Sequence, residues 1–342
     1  MRITRSAVLA LLASLLAAPH TRAERPVRLS NHNLSMSGPG RVRAASEPEI
    51  CIFCHGVHDT APNAPLWNRF SSGAIYTPYY STTAKARIGQ PTGSSKLCLS
   101  CHDGTVALGQ VRKRKSEMRM LSGSSRMPNT RANLGTDLSD DHPISFTYDH
   151  GLVKQSDGEL RDPSTLRREV RLDSDRQLQC TTCHDPHDDS FGNFLVMDNR
   201  RSALCVECHD KRFWSESSHR NSTARWDGSG TDPWPYTDPA SVAEGACESC
   251  HTSHKAGIPQ RLLLFPREED NCLSCHDGHV AKHDLGAELN KFSRHDVRAT
   301  SGVHDPTEDL VNSRRHVECT DCHTPHATRP ESAKAPAAGG AL

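Results

Sequence analysis

The chain has 342 residues, 41 basic and 41 acidic side chains, and is only 35% apolar and 5% aromatic, with a mean hydropathy of −0.64. An ordinary globular domain is roughly 45–50% apolar, so a conventional two-core enzyme of this length is excluded for want of core material. The 14 cysteines and 21 histidines argue against plain disorder and for packing around something that is not protein.

In chain order, the first element is a leader. Arg2 and Arg5 precede an apolar run from Ala7 to Ala18, and Thr21-Arg22-Ala23 offers a small-residue cleavage site. The run is too short to span a bilayer, so residues 1–23 read as a signal peptide removed on export. Its loss takes three arginines and leaves 38 basic against 41 acidic residues. No later segment is apolar enough to cross a membrane.

Seven copies of one five-residue string follow: CIFCH (51–55), CLSCH (98–102), CTTCH (180–184), CVECH (205–209), CESCH (247–251), CLSCH (272–276) and CTDCH (319–323). They consume every cysteine: Cys51, Cys54, Cys98, Cys101, Cys180, Cys183, Cys205, Cys208, Cys247, Cys250, Cys272, Cys275, Cys319 and Cys322. CxxCH is the attachment signal for c-type haem, in which two thiols add to the haem vinyl groups and the next histidine ligates the iron. The proximal ligands are then His55, His102, His184, His209, His251, His276 and His323. A disulfide framework, zinc knuckles or thioredoxin-like pairs would not require a histidine after each second cysteine. At this chain's histidine frequency the seven would coincide by chance with a probability on the order of 10⁻⁹. Seven macrocycles also supply the apolar bulk that the sequence lacks. With about one negative charge per ferric haem, the loaded protein is markedly acidic.

The strings form pairs, with 25 residues from Cys180 to Cys205 and again from Cys247 to Cys272, and 47 from Cys51 to Cys98 because of an insertion. Such self-similarity predicts a repeat architecture. The units expected are 24–150 with the insertion, 151–235, 236–300 and a single-motif unit at 301–328, followed by an Ala/Pro/Gly-rich disordered tail at 329–342. The fold class expected is mostly irregular chain with short helices at the CxxCH strings, packed around haem, with little regular secondary structure. Ile144–Tyr148 and Leu262–Phe265 are the candidate strands, and 221–240 reads as a linker.

From residue 31 to about 327 the chain resembles exported multihaem c-type cytochromes of the doubled CxxCH motif family. The likeness is carried by NHNLSMSGPG (31–40), CIFCHGVH (51–58), PLWNRF (65–70), QPTGSSKLCLSCHDGTVALG (90–109), DHPISF (141–146) and HVECTDCHTPH (316–326). Gly56-Val57 departs from the Thr-Pro pair usual at that point. The resemblance implies periplasmic or extracellular electron transfer, with redox proteins, an outer-membrane conduit or filament neighbours as partners. It offers no place for nucleic acid.

Each iron needs a ligand on its second face or an open position for chemistry. His58, His187, His254 and His326 each stand three residues after a proximal histidine, and His142, His219 and His295 close the units. The resemblance adds His32 and His316, giving nine candidates for seven places; His150, His279, His283 and His304 are weaker. A histidine three residues past a proximal ligand lies about one helical turn away. It cannot reach the far face of the same iron and must serve a different one. Met118, Met120 and Met127 cluster in the insertion while Met36 and Met197 stand alone, too few for seven irons, so bis-histidine ligation is expected throughout. The basic run 111–126 reads as a solvated loop or a docking patch for an acidic partner or for haem propionates, and Trp67, Trp214, Trp226 and Trp234 as haem covers or local packing. The function expected is an electron-carrying heptahaem cytochrome rather than an enzyme. The alternatives are a multihaem reductase or oxidase of nitrogen or sulfur oxyanions and a subunit of a cytochrome filament.

Overall fold

The computed structural model describes residues 24–56, 66–121, 123–298 and 317–328; the leader, the tail, His58, His304 and His316 lie outside these. All seven CxxCH strings adopt a helical turn. Four sit in α-helices, α1 (Gly93–His102), α2 (Cys180–Cys183), α3 (Cys205–Cys208) and α4 (Glu268–Leu273). Three sit in 3₁₀ turns at Cys51–Phe53, Ala246–Ser249 and Cys319–Asp321. Only α1 reaches ten residues. Gly93 opens it at φ +49°, where a Cβ would lie 2.8 Å from Gln179 Nε2. That position therefore suits glycine alone, and it lets the helix approach the next unit closely.

Regular sheet is minimal, as expected. Phe146–Thr147 pairs antiparallel with Gln177–Leu178, inside the first of the two predicted strands. The second, Leu262–Phe265, is not a strand: Leu263 makes only isolated bridges to His251 and Ile258. Arg261 and Leu262 both adopt positive φ, which breaks an extended run of β-formers before it can pair.

A short return segment is the recurring local device. The chain leaves each first-of-pair string and comes back to bridge its proximal histidine, at His55–Trp67, His184–Leu195 and His251–Leu263. The apolar core is correspondingly fragmented. One cluster joins Ala44, Ile52, Phe53, Leu108 and Met120, with Met118, Met127, Cys54 and Cys101 packed against it. A second joins Phe146, Tyr148, Leu152 and Leu178, and a third Tyr76, Leu99 and Leu138. The three methionines of the insertion are thus packing residues, which explains why a haem-ligand type occurs there at all. Among the described residues no helix is long and apolar enough to cross a membrane.

Candidate metal centres

Six proximal histidines each face one other imidazole. His55 opposes His187 at 6.0 Å between ring centres, His102 opposes His32 at 6.1 Å, and His184 opposes His254 at 6.2 Å. His209 opposes His142 at 6.3 Å, His251 opposes His326 at 6.1 Å, and His276 opposes His219 at 6.2 Å. A metal–imidazole bond is about 2 Å long, and ring bonds of about 1.33 Å put each nitrogen about 1.1 Å from its ring centre. Two imidazoles sharing one metal therefore have centres about 6 Å apart. The spacing fits one iron between each pair.

The ring nitrogens are prepared for the task. Nδ1 of His32 lies 3.1 Å from the Pro186 carbonyl, that of His102 2.6 Å from Ala132, and that of His142 3.0 Å from Pro143. His184, His219 and His251 address the carbonyls of Asn193, Pro325 and Arg261 at 2.8, 3.0 and 2.8 Å. His254 addresses the buried Asp141 carboxylate at 2.9 Å. A carbonyl can only accept, so Nδ1–H donates and the lone pair stands on Nε2. Burial pushes the imidazole of His184 down to about 4 and those of His209 and His326 down to about 3. The neutral, ligating form is thereby favoured.

Two orphaned donors lie beside these pairs. The Trp67 ring meets His55 edge-on at 6.2 Å and the Trp214 ring meets His326 edge-on at 6.0 Å; both indole N–H groups are buried without an acceptor. A porphyrin with its propionates would fill such a place. Among the described residues no three or more His, Cys, Asp or Glu side chains gather into a metal cage, and none of the fourteen cysteines forms a disulfide. The pairwise, two-nitrogen pattern suits axial haem ligation rather than zinc.

The pairing follows a register. His187, His254 and His326 stand in the CHxxH string of one unit yet face the first proximal histidine of the unit before. His32, His142 and His219, which precede a unit, face the second proximal histidine of the unit that follows. The same strings also hold these approaching segments. His32 bonds the Pro186 carbonyl and His219 the Pro325 carbonyl, in each case one residue before a CHxxH histidine. The His142 backbone N–H bonds the Ser253 carbonyl at the equivalent place. His295 is exposed, and among the described residues no imidazole faces it or His323. Because His32 faces His102 of its own chain, His32→Ala is expected to change the ligation at His102 without altering the protein's mass in solution. Light scattering and the visible spectrum of the variant check both.

The sulfurs fix the order of the strings in space. Cys54 neighbours Cys101, Cys183 neighbours Cys208, and Cys250 neighbours Cys275; burial and these contacts push the Cys54, Cys183 and Cys250 thiols up to about 12. Between units the first-cysteine segments meet: the Cys180 N–H donates to Ser95, the Cys247 N–H to Ser202, and Thr320 beside Cys319 to Glu268. The thiol pairs Cys98 and Cys180, Cys205 and Cys247, and Cys272 and Cys319 influence one another. Second-cysteine and first-cysteine neighbours thus alternate along the seven strings in sequence order.

The basic run is partly spent within the fold. Arg114 bonds Glu47 and Glu49 at 2.8 and 3.3 Å, Arg112 lies over Phe70, and Val111 is buried. Sequence reasoning passed over Asn68 and Arg69, both fully buried, although they stand within the PLWNRF string.

Paired thiols, opposed neutral imidazoles and a scarcity of core are consistent with c-type haem attachment at several strings. The family profile described as the doubled CXXCH motif matches residues 175–212 and 240–281, which span the third to sixth strings. The chain thus carries the doubled CXXCH haem-binding motif of multihaem c-type cytochromes. No curated protein matches it.

Proposed function

We propose that the chain is an exported heptahaem electron-transfer cytochrome acting in the periplasm or outside the cell. When bound, haem supplies a one-electron iron couple at each string. The fourteen cysteines anchor seven such groups, the proximal histidines hold one face of each iron, and His187, His32, His254, His142, His326 and His219 hold the other face of six. The neighbouring strings keep successive groups adjacent, so an electron finds a neighbour at every step. The six opposed imidazole pairs, set 6.0–6.3 Å apart on successive strings, are the observation that carries the reading. Partners on this reading are redox proteins, with an outer-membrane conduit or filament neighbours as acceptors or donors.

At His323 a second reading has a specific foothold. If neither His304 nor His316 closes that iron, one position stays open for a small oxyanion, and the protein is a reductase. One preparation, made with a cytochrome c maturation system, tests both. Mass spectrometry is expected to find seven covalent haems and no free thiol, and the oxidised spectrum is expected to be wholly low-spin, with no carbon monoxide bound after reduction. Fewer than seven haems at full occupancy overturns the heptahaem reading. One stoichiometric high-spin iron moves the assignment to the reductase.

A further inference from the structure

The two ends of the row of strings differ in buried charge. At the first end, Arg69 is fully buried. Its guanidinium donates to the carbonyls of Leu108 at 2.9 Å, Ala107 at 3.0 Å and Ser100 at 3.3 Å, while Nε finds no acceptor. Among the described residues no carboxylate pairs with it. Asp103, the acid that shares its surroundings, is occupied by the Tyr76 hydroxyl at 2.7 Å and by Thr105. Ser100 adjoins Cys101, and the Asn68 backbone N–H bonds the Cys54 carbonyl at 2.8 Å. The charge therefore sits between the first two strings, and it acts on both the Cys54 and Cys101 sulfurs, at Cys101 more strongly than the opposing Asp103 carboxylate.

The far end carries the opposite sign, and the repeat itself supplies the comparison. Three residues before the first cysteine of each second string stand Ser95, Ser202 and Glu269, all fully buried. One residue before the next string stand Gln179, Ala246 and Glu318, all buried. Where Cys98 meets Cys180, Ser95 donates to Gln179 at 2.6 Å and accepts from the Cys180 N–H at 3.0 Å. Where Cys205 meets Cys247, Ser202 donates to the Gly245 carbonyl at 2.8 Å and accepts from the Cys247 N–H at 2.9 Å. At both junctions these two equivalent positions are neutral, although the Glu248 carboxylate acts on Cys205 and Cys247 at the second. Where Cys272 meets Cys319, both positions hold carboxylates, and the buried Glu268 adds a third, accepting from Thr320. Arg261 approaches Glu268 at 3.6 Å and Arg267 approaches Glu269 at 3.4 Å, but the bonds of Arg267 go to Asp270. Residues 261–270 and 318–321 together hold five acids against two arginines. Carboxylates stand here at both positions that are neutral in the other two junctions, and burying three of them against two arginines is costly, so their presence calls for a role.

We propose that these fixed charges bias the row of haems: Arg69 raises the reduction potentials of the groups on 51–55 and 98–102, and Glu268, Glu269 and Glu318 lower those on 272–276 and 319–323. Electrons then run from the carboxylate end towards the arginine end. The inference rests on the haem-bearing reading above, and the electrostatic logic is general. A nearby cation stabilises the extra electron of the reduced centre and an anion opposes it, more strongly where water is excluded.

The test is a spectropotentiometric titration of the fully loaded protein and four variants. Glu269→Gln and Glu269→Ser, the latter restoring the residue of the other two junctions, are expected to move the low-potential limb upward and leave the high-potential limb in place. Arg69→Gln is expected to move the high-potential limb downward, and Arg69→Lys to leave it near its original position. A unit charge acting over about 10 Å at an effective dielectric of about 20 corresponds to roughly a tenfold change in the reduced-to-oxidised ratio at the affected centres. Variants that keep seven low-spin haems while both limbs stay fixed overturn the proposal, as do Arg69→Gln and Glu269→Gln moving one and the same limb. A wild-type protein without seven haems instead overturns the underlying reading, so the two failures are distinct. Should Arg69→Gln not mature, the Glu269 pair decides alone.

Discussion

Replacing His187 by alanine is expected to leave one iron in seven without its second imidazole, and that iron is the one held by Cys51, Cys54 and His55. His187 follows His184 by three residues, so it must serve an iron other than the one on Cys180 and Cys183. The geometry identifies which. The His187 ring stands 6.0 Å from that of His55, tilted by only 11°, while His184 already faces His254. An electron paramagnetic resonance spectrum of the oxidised variant is expected to show a single high-spin signal of unit stoichiometry. The same substitution in a Cys51→Ser, Cys54→Ser background, which lacks that haem, is expected to show none. A signal that survives in this background assigns His187 to another iron. His254→Ala gives the matching control, with its high-spin signal expected from the group on Cys180 and Cys183.

The chain produced without haem attachment is expected to show no cooperative unfolding transition. Ordering the backbone costs about 1–2 kcal/mol per residue, and burial of apolar side chains is what normally offsets it. Here the buried apolar clusters hold five, four and three residues, spread over separate parts of the chain. Their members also pack against the cysteines that carry the cofactor, Cys54 and Cys101 in one cluster and Cys208 in another. Without haem, small clusters such as these are left to offset the cost of ordering the chain. Thermal circular dichroism and amide hydrogen exchange of the unloaded chain check this, the expected result being a featureless melt and no slowly exchanging core. A sigmoidal melt with protected amides in α1 would contradict it.

The chemistry of the centres was legible in the sequence because covalent attachment is local: two thiols and one imidazole within five residues report it without any fold. That CHxxH histidines serve a different group was also readable, since one helical turn cannot carry a side chain round a macrocycle. Which group each serves was not, because His55 and His187 meet only when the chain returns after more than a hundred residues. His142 and His219 show the same limit. They look like closing residues of the unit before them, and they face a histidine of the unit after. Of the two expected strands, the one around Phe146 formed because Gln177–Leu178 was there to pair with it, whereas positive φ at Arg261 and Leu262 broke the other. Arg69 and Glu269 drew no notice as single residues. Aligning the repeats on their cysteines would have exposed Glu269, since the positions equivalent to it are both serine.

The shifted pairing of imidazoles has a consequence for how such arrays change length over generations. Each internal unit offers one ligand backwards from its CHxxH string and requires one from the next unit in turn. His187, within one unit, completes the pair begun by His55, and His254 answers His184 in the same manner. A duplicated stretch of gene encoding one whole unit, inserted between two others, would give and take the same connections as the unit it copied. No existing iron would lose a partner. The interlock that ties neighbouring units together is therefore also what lets a new one be spliced in, and the row can lengthen by two centres in a single genetic event.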